Sequence, residues 1–127
     1  MRQFLLVVLG SGFGGGARYL LGGWLIQIFG AAFPVATVAI NAIGSFLIGV
    51  IMQLSLNTAL ISSDLRITLT TGVLGGFTTY STFNYETISL FQQGAVLLAT
   101  LNVVVTVILC LACGVAGLLL GRWWVTI

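Results

Sequence analysis

The sequence is almost without charge. It has no lysine and no histidine, and its 4 basic and 2 acidic residues make up only 5% of the chain, against roughly 25% in a soluble domain. So few charges cannot cover a water-facing surface, which excludes a soluble globular protein and a disordered tail. The basic residues are arginines scattered singly along the chain, so there is no basic patch and we expect no nucleic-acid partner.

The same scarcity argues against catalysis. Asp64 and Glu86 are the only carboxylate side chains, which leaves few groups for acid–base or metal chemistry. A C-x-x-C pair, Cys110 and Cys113, lies deep in an apolar run, where cysteine is expected to serve as a small packing residue. We therefore expect that the chain is not an enzyme.

Apolar residues, in contrast, make up 59% of the chain. They form four blocks, at about residues 3–29, 34–56, 67–91 and 95–125. Each block exceeds the ~20 residues that cross a bilayer as a helix. The first block continues to Phe29 without a clear cleavage site, so we expect a membrane span there and not a signal peptide. The sequence predicts an all-α membrane protein with a single four-span domain over residues 1–127.

Polar side chains recur every four residues in two of these spans. Thr37, Asn41 and Ser45 form one stripe on the second span, and Asn102 and Thr106 begin another on the fourth. Polar groups at membrane depth serve either as hydrogen-bonding contacts between helices or as the lining of a pathway. Two such stripes favour a lined pathway.

The third span is poor helix material near its middle. Gly75 and Gly76 are followed by hydroxyl residues in the run GGFTTYSTFNYE, which predicts a broken helix. A break survives in a membrane only where it is buried in protein or lines a cavity, and its free carbonyls suit a hard cation. Tyr80 and Phe83 lie in the same run; their positive ring edges can meet an anion, although packing in the bundle core is an alternative.

Arg18 and Glu86 are the only charged residues expected within the spans, each toward a helix end, where a vestibule could hydrate it. A proton-coupled transporter needs an acid or histidine at mid-path, and Glu86 is the only candidate. A passive pathway for a small ion fits better, and the excess of donors over carboxylates favours an anion. Four helices enclose little space, so the pathway is expected to need a second copy of the chain.

Three motifs together resemble the bacterial fluoride channels of the Fluc/CrcB family: GGFTTYSTF in the third span, NAIGSFLIG around Asn41 and GGGARY around Arg18. The resemblance covers essentially the whole chain. It implies an antiparallel, dual-topology homodimer in the bacterial inner membrane, with two pores per dimer. It also implies passive, selective export of toxic fluoride, and a structural sodium ion at the dimer centre.

The resemblance also implies roles for particular residues. Main-chain carbonyls of Gly75 and Thr78 would hold the sodium ion. Together with the polar stripes, it gives an expected fluoride pathway of Thr37, Asn41, Tyr80, Ser81, Thr82, Phe83 and Thr106. Tyr80 stands where the family motif usually has phenylalanine. Its hydroxyl can donate and accept hydrogen bonds, so we expect altered throughput with the fold retained.

Two other classes of protein stay open on the residues alone. A small proton-coupled multidrug exporter would also have four spans and form a dimer, but it would need a membrane-embedded glutamate, typically in the first span, where this chain has Arg18. A membrane assembly subunit without transport activity would use its polar residues only for packing. Substitution of Asn41 or Phe83 separates these classes, since a channel would lose flux with its assembly intact.

Overall fold

The computed structural model describes residues 1–126, and its regular elements are all helical. No strand occurs among those residues, so the predicted all-α class is confirmed. The elements in chain order are α1 (Arg2–Phe29), α2 (Val35–Asn57), α3 (Ser63–Ile67), a π-helical segment (Thr68–Leu74), α4 (Gly75–Phe77), α5 (Tyr80–Gln92) and α6 (Val96–Thr126).

Within residues 1–126, three helices are long and apolar enough to cross a membrane, namely α1, α2 and α6. The other helical segments follow one another from Ser63 to Gln92. Two residues with extended backbone, Thr78 and Thr79, separate α4 from α5 and divide this stretch into shorter pieces. The chain is a multi-pass membrane protein.

Local sequence signals set several of the helix ends. Pro34 precedes α2, where its missing N–H leaves no donor unsatisfied. The Ser62 hydroxyl accepts a hydrogen bond from the Leu65 amide, 3.3 Å away, and caps α3. Gly30 directly follows α1 with φ +76°, a conformation that a side chain would strain.

The start of α1 meets the start of α3 at one end of the bundle. An Arg2 Nη nitrogen lies 3.3 Å from a carboxylate oxygen of Asp64, and the Gln3 amide donates to the other oxygen at 3.0 Å. The Arg2 side chain is exposed, so the ion pair adds little stability. It does place the amino terminus and the loop after α2 at the same end.

Glycines bring the helices together at backbone distance. A Cβ atom at Gly14 of α1 would overlap the Val73 carbonyl oxygen in the π-helical segment, and one at Gly117 of α6 would overlap the Phe46 carbonyl oxygen of α2. Small residues allow this approach between membrane helices, which lack a hydrophobic drive to associate and rely on close packing. The third span is therefore held against α1, and α6 against α2.

Replacing Gly14 with alanine tests this packing. We expect Gly14→Ala to lower the free energy of unfolding by about 3 kcal/mol or more, because neither backbone can give way to the new methyl group. The matched control is Gly16→Ala on the same helix, where a Cβ atom meets nothing within 4 Å and alanine improves helix propensity by about 1 kcal/mol. Thermal unfolding in detergent compares the two proteins, and equal melting temperatures would contradict the packing described here.

Candidate functional site

The interruption in the third span is held by one side chain of α2. The Asn41 amide nitrogen donates to the Thr79 carbonyl oxygen at 3.0 Å, and the Thr79 amide donates to the Asn41 side-chain oxygen at 2.8 Å. Both residues are buried. A backbone unit that has left the helix is thereby fully hydrogen-bonded, as it must be at membrane depth.

A second side chain, that of Thr79, binds the Thr82 amide at the start of α5. The Thr79 hydroxyl accepts a hydrogen bond from the Thr82 amide at 3.2 Å and so caps α5. The same hydroxyl donates to the Thr82 hydroxyl at 2.9 Å and lies 3.2 Å from that of Ser81. Three neighbouring hydroxyls therefore form one hydrogen-bonded cluster at the start of α5.

These bonds release two main-chain carbonyls. In a continuous α-helix the carbonyl of residue i accepts a hydrogen bond from the amide of residue i+4. The Gly75 carbonyl would therefore accept from the Thr79 amide, and the Thr78 carbonyl would accept from the Thr82 amide. Here both amides donate to side-chain oxygens instead. Gly75 and Thr78, the pair implied by the resemblance for sodium, are therefore among the carbonyls that the break leaves without their usual partners, and theirs are the two whose amides are held by side chains.

An open groove of about 530 Å³ runs beside the interruption. It is lined by neutral side chains and backbone, and no charged residue of 1–126 contributes to it. Predicted site residues that line it are Asn41, Gly75, Thr78, Tyr80, Phe83 and Thr106. The Tyr80 side chain is 78% exposed at the open side, and its ring centroid lies 5.7 Å from that of Phe83.

The remaining predicted residues lie mostly on a second cavity of about 960 Å³, formed by α1, α2 and α5. Arg18, Thr37, Thr82 and Glu86 line it. The Thr37 hydroxyl donates to one Glu86 carboxylate oxygen at 2.8 Å, and the other oxygen is buried with no partner among the described residues. Within residues 1–126 the one ion pair joins Arg2 to Asp64, so Arg18 and Glu86 share a cavity without pairing.

Among the described residues, only Thr79 lines both cavities. Sequence reasoning did not single it out, because four hydroxyl residues lie close together in the motif and nothing local distinguishes the one that meets α2. The long-range partner is what identifies it. Ser81, in contrast, is exposed and lines neither cavity, although its hydroxyl belongs to the cluster with Thr79.

The polar stripe on α6 has two different uses. Thr106 lines the groove, whereas Asn102 is fully buried at 0% exposure. The Asn102 amide donates to the Thr87 hydroxyl of α5 at 2.8 Å and accepts from the Thr106 hydroxyl at 3.4 Å. Asn102 therefore joins α5 to α6, which is the hydrogen-bonding contact that the sequence left open as an alternative.

We expect Asn102→Leu to lower the free energy of unfolding by about 1–2 kcal/mol, because the hydroxyl of Thr106 loses its acceptor inside the protein. Thr100→Val is the control, since the exposed Thr100 hydroxyl bonds only to the Val96 carbonyl of its own helix and its loss should change stability by less than about 0.5 kcal/mol. Thermal unfolding in detergent measures both. Two variants that melt alike would show that the buried amide does not hold α5 to α6.

Together, the fold and the groove define a helical membrane protein with a neutral groove beside the break between α4 and α5. The family model for CrcB-like proteins, described as Camphor Resistance (CrcB), matches residues 5–118. The chain therefore belongs to the CrcB family.

Curated relatives extend over nearly the whole chain. A protein from Anaeromyxobacter dehalogenans is 48% identical over 123 residues, which cover 97% of this chain and 98% of the relative. One from Geobacter metallireducens is 46% identical over 122 residues, covering 96% and 98%. Both carry the name fluoride-specific ion channel FluC. The resemblance stated from the motifs is confirmed, and so is the prediction that the chain is not an enzyme, because the family is one of ion channels.

Proposed function

We propose that this protein is a passive, fluoride-selective channel that exports toxic fluoride across the bacterial inner membrane. The observation that carries the proposal is the groove, which polar and aromatic side chains line together and to which no charged residue of 1–126 contributes. The names of the curated relatives agree with it.

Neutral donors suit this ion. Fluoride is small and strongly hydrated, so a pore must replace its water with several donors and yet release it. Asn41 uses one of its two N–H groups on Thr79 and keeps the other for the groove it lines. The ring edges of Tyr80 and Phe83 add partial positive charge on the open side. The expected path continues along Thr106 in the groove.

The second cavity fits a vestibule. Arg18 would attract the anion from water, and Thr37 and Thr82 line the same cavity as Thr79, which also lines the groove. The Glu86 carboxylate accepts a hydrogen bond from the Thr37 hydroxyl. While this bond is kept, it reduces the repulsion between the carboxylate and a passing anion. Ser81 would act through the hydroxyl cluster, since it lines neither cavity.

The groove is open on one side, and we propose that a second copy of the chain closes it. Tyr80 is largely exposed there, and no other part of residues 1–126 covers it. Each copy would bring one groove, which gives two pores per homodimer. An antiparallel arrangement with dual topology is the form that the family resemblance implies.

The carbonyls at the interruption fit a sodium ion at the centre of such a dimer. Gly75 and Thr78 both line the open groove, and their usual amide partners are bonded elsewhere. Carbonyl oxygens suit a hard cation, and unwound backbone in membrane proteins coordinates sodium in this way. When bound, the ion would supply a positive potential for the anion without a charged side chain.

We expect liposomes that contain the protein and potassium fluoride to release fluoride rapidly when valinomycin is added, and to retain chloride in a parallel experiment. An ion-selective electrode follows each anion. A passive channel needs no proton gradient, so the rate should be the same with or without one.

The outcomes separate the classes of protein considered above. Fluoride release that requires an opposing proton gradient would contradict the channel and support a proton-coupled exporter. No release of either anion, from the protein as it stands and from its Tyr80→Phe variant, would contradict transport and leave an assembly subunit.

We expect Tyr80→Phe to raise fluoride flux about tenfold, the factor that corresponds to one hydrogen bond between a hydroxyl and an ion. The exposed phenol at the groove can hold the ion too firmly. The liposome assay measures the flux, and gel-filtration volume and melting temperature should stay unchanged because the side chain packs on little else. Equal flux from both proteins would contradict a role for the hydroxyl.

A further inference from the structure

We propose that Asn41 and Thr79 are positioning residues for the sodium site, because their side chains hold the two amides that would otherwise occupy the Gly75 and Thr78 carbonyls. This inference rests on the proposed function, in which those carbonyls receive the ion. It assigns the sodium site two residues that need not touch the ion.

The first step concerns Gly75. Its carbonyl would accept from the Thr79 amide in a continuous helix. That amide instead donates to the Asn41 side-chain oxygen at 2.8 Å, and the Asn41 nitrogen holds the Thr79 carbonyl at 3.0 Å. The pair of bonds fixes both polar groups of Thr79, so a return of Thr79 to the helix has to break both of them.

The second step concerns Thr78. Its carbonyl would accept from the Thr82 amide, which donates to the Thr79 hydroxyl at 3.2 Å. Without that hydroxyl, α5 can extend by one residue toward its amino terminus and the amide can return to the Thr78 carbonyl. The hydroxyl thus acts as a helix cap that also keeps a carbonyl free.

The two steps make sodium binding a competition. An amide that bonds to a carbonyl uses one of its two lone pairs and directs the oxygen along the helix, whereas the two side chains keep the whole oxygen available to the ion. Asn41 also lines the groove. The same side chain would therefore set the backbone for the cation and face the path of the anion.

Two simpler roles have to be distinguished from this one. If Asn41 is only a donor in the pathway, its loss should reduce fluoride flux without changing sodium affinity. If Thr79 is only a helix cap, its loss should lower stability equally at every sodium concentration. Sodium affinity is therefore the quantity to measure.

The experiment titrates sodium against thermal unfolding of the full-length protein in detergent. Sodium chloride replaces N-methylglucamine chloride at constant ionic strength, after equilibration overnight in sodium-free buffer. An ion that binds only the folded protein raises the melting temperature with its concentration, and a weaker site moves the curve to higher sodium. Bound sodium per chain, measured by atomic emission after gel filtration in sodium-free buffer, is a second readout.

We expect Thr79→Val to move the midpoint of this curve to at least about fivefold higher sodium, the factor that corresponds to one net hydrogen bond. Thr79→Ser keeps the hydroxyl and should restore the original midpoint. Asn41→Leu should move the midpoint at least as far as Thr79→Val. Asn102→Leu is the matched control for the loss of a buried amide, and it should lower the melting temperature at every sodium concentration without moving the midpoint.

Equal midpoints for Thr79→Val and Thr79→Ser would overturn the inference, and so would equal midpoints for Asn41→Leu and Asn102→Leu. If Asn41→Leu fails to fold, the threonine pair decides alone. A protein with no sodium dependence and no bound sodium would overturn the inference together with the proposed sodium site. Fluoride efflux from the unaltered protein is measured separately, so the channel proposal stands or falls on its own result.

Discussion

Every backbone polar group at membrane depth needs a partner within the protein, and this requirement governs how the helices are arranged. The third span leaves the helix at Thr78 and Thr79, and the bonds between Asn41 and Thr79 satisfy the backbone there. A single amide side chain on α2 is able to do this because it offers a donor and an acceptor side by side, matching the carbonyl and amide of one residue. Removing either the donor or the acceptor of the Asn41 side chain would leave a buried backbone group of Thr79 unpaired, and this costs more free energy than the hydrogen bond contributes.

Close helix packing puts this interruption in position. Gly14 lets α1 lie against the π-helical segment, and Gly117 lets α6 lie against α2. Two cavities lie beside these contacts, one of about 960 Å³ and one of about 530 Å³, and Thr79 lines both of them. Short π-helical segments frequently occur at functional sites, and here one leads directly into the residues that line the groove.

The chemistry of the groove agrees with the family to which the chain belongs. Its polar groups are amide, hydroxyl and backbone, and its charged neighbours Arg18 and Glu86 lie in the other cavity. In the proposed channel, this separation suits an anion that must be dehydrated and still released, since a charge in the groove would bind it too tightly. In the proposed channel, attraction at a vestibule and weak, repeated donation along the groove are separate tasks, and the residues that would perform them line separate cavities.

The kind of protein and most of the residue types at the site can be read from the sequence alone. Scarce charge and four apolar blocks led to an all-α membrane protein, and the third-span motif led to its family, because composition and local patterns are readable along the chain. The tertiary structure decided how the polar residues divide their work. Asn41 and Thr79 are 38 residues apart, and Asn102 and Thr106 share a stripe although only Thr106 reaches the groove. Helical spacing shows that side chains share a face, but it does not show which helix that face meets. Only the packing of α2, α5 and α6 shows that the Thr79 hydroxyl caps a helix and that the Asn102 amide joins two helices. It also shows that the Asn41 amide binds the backbone at the break.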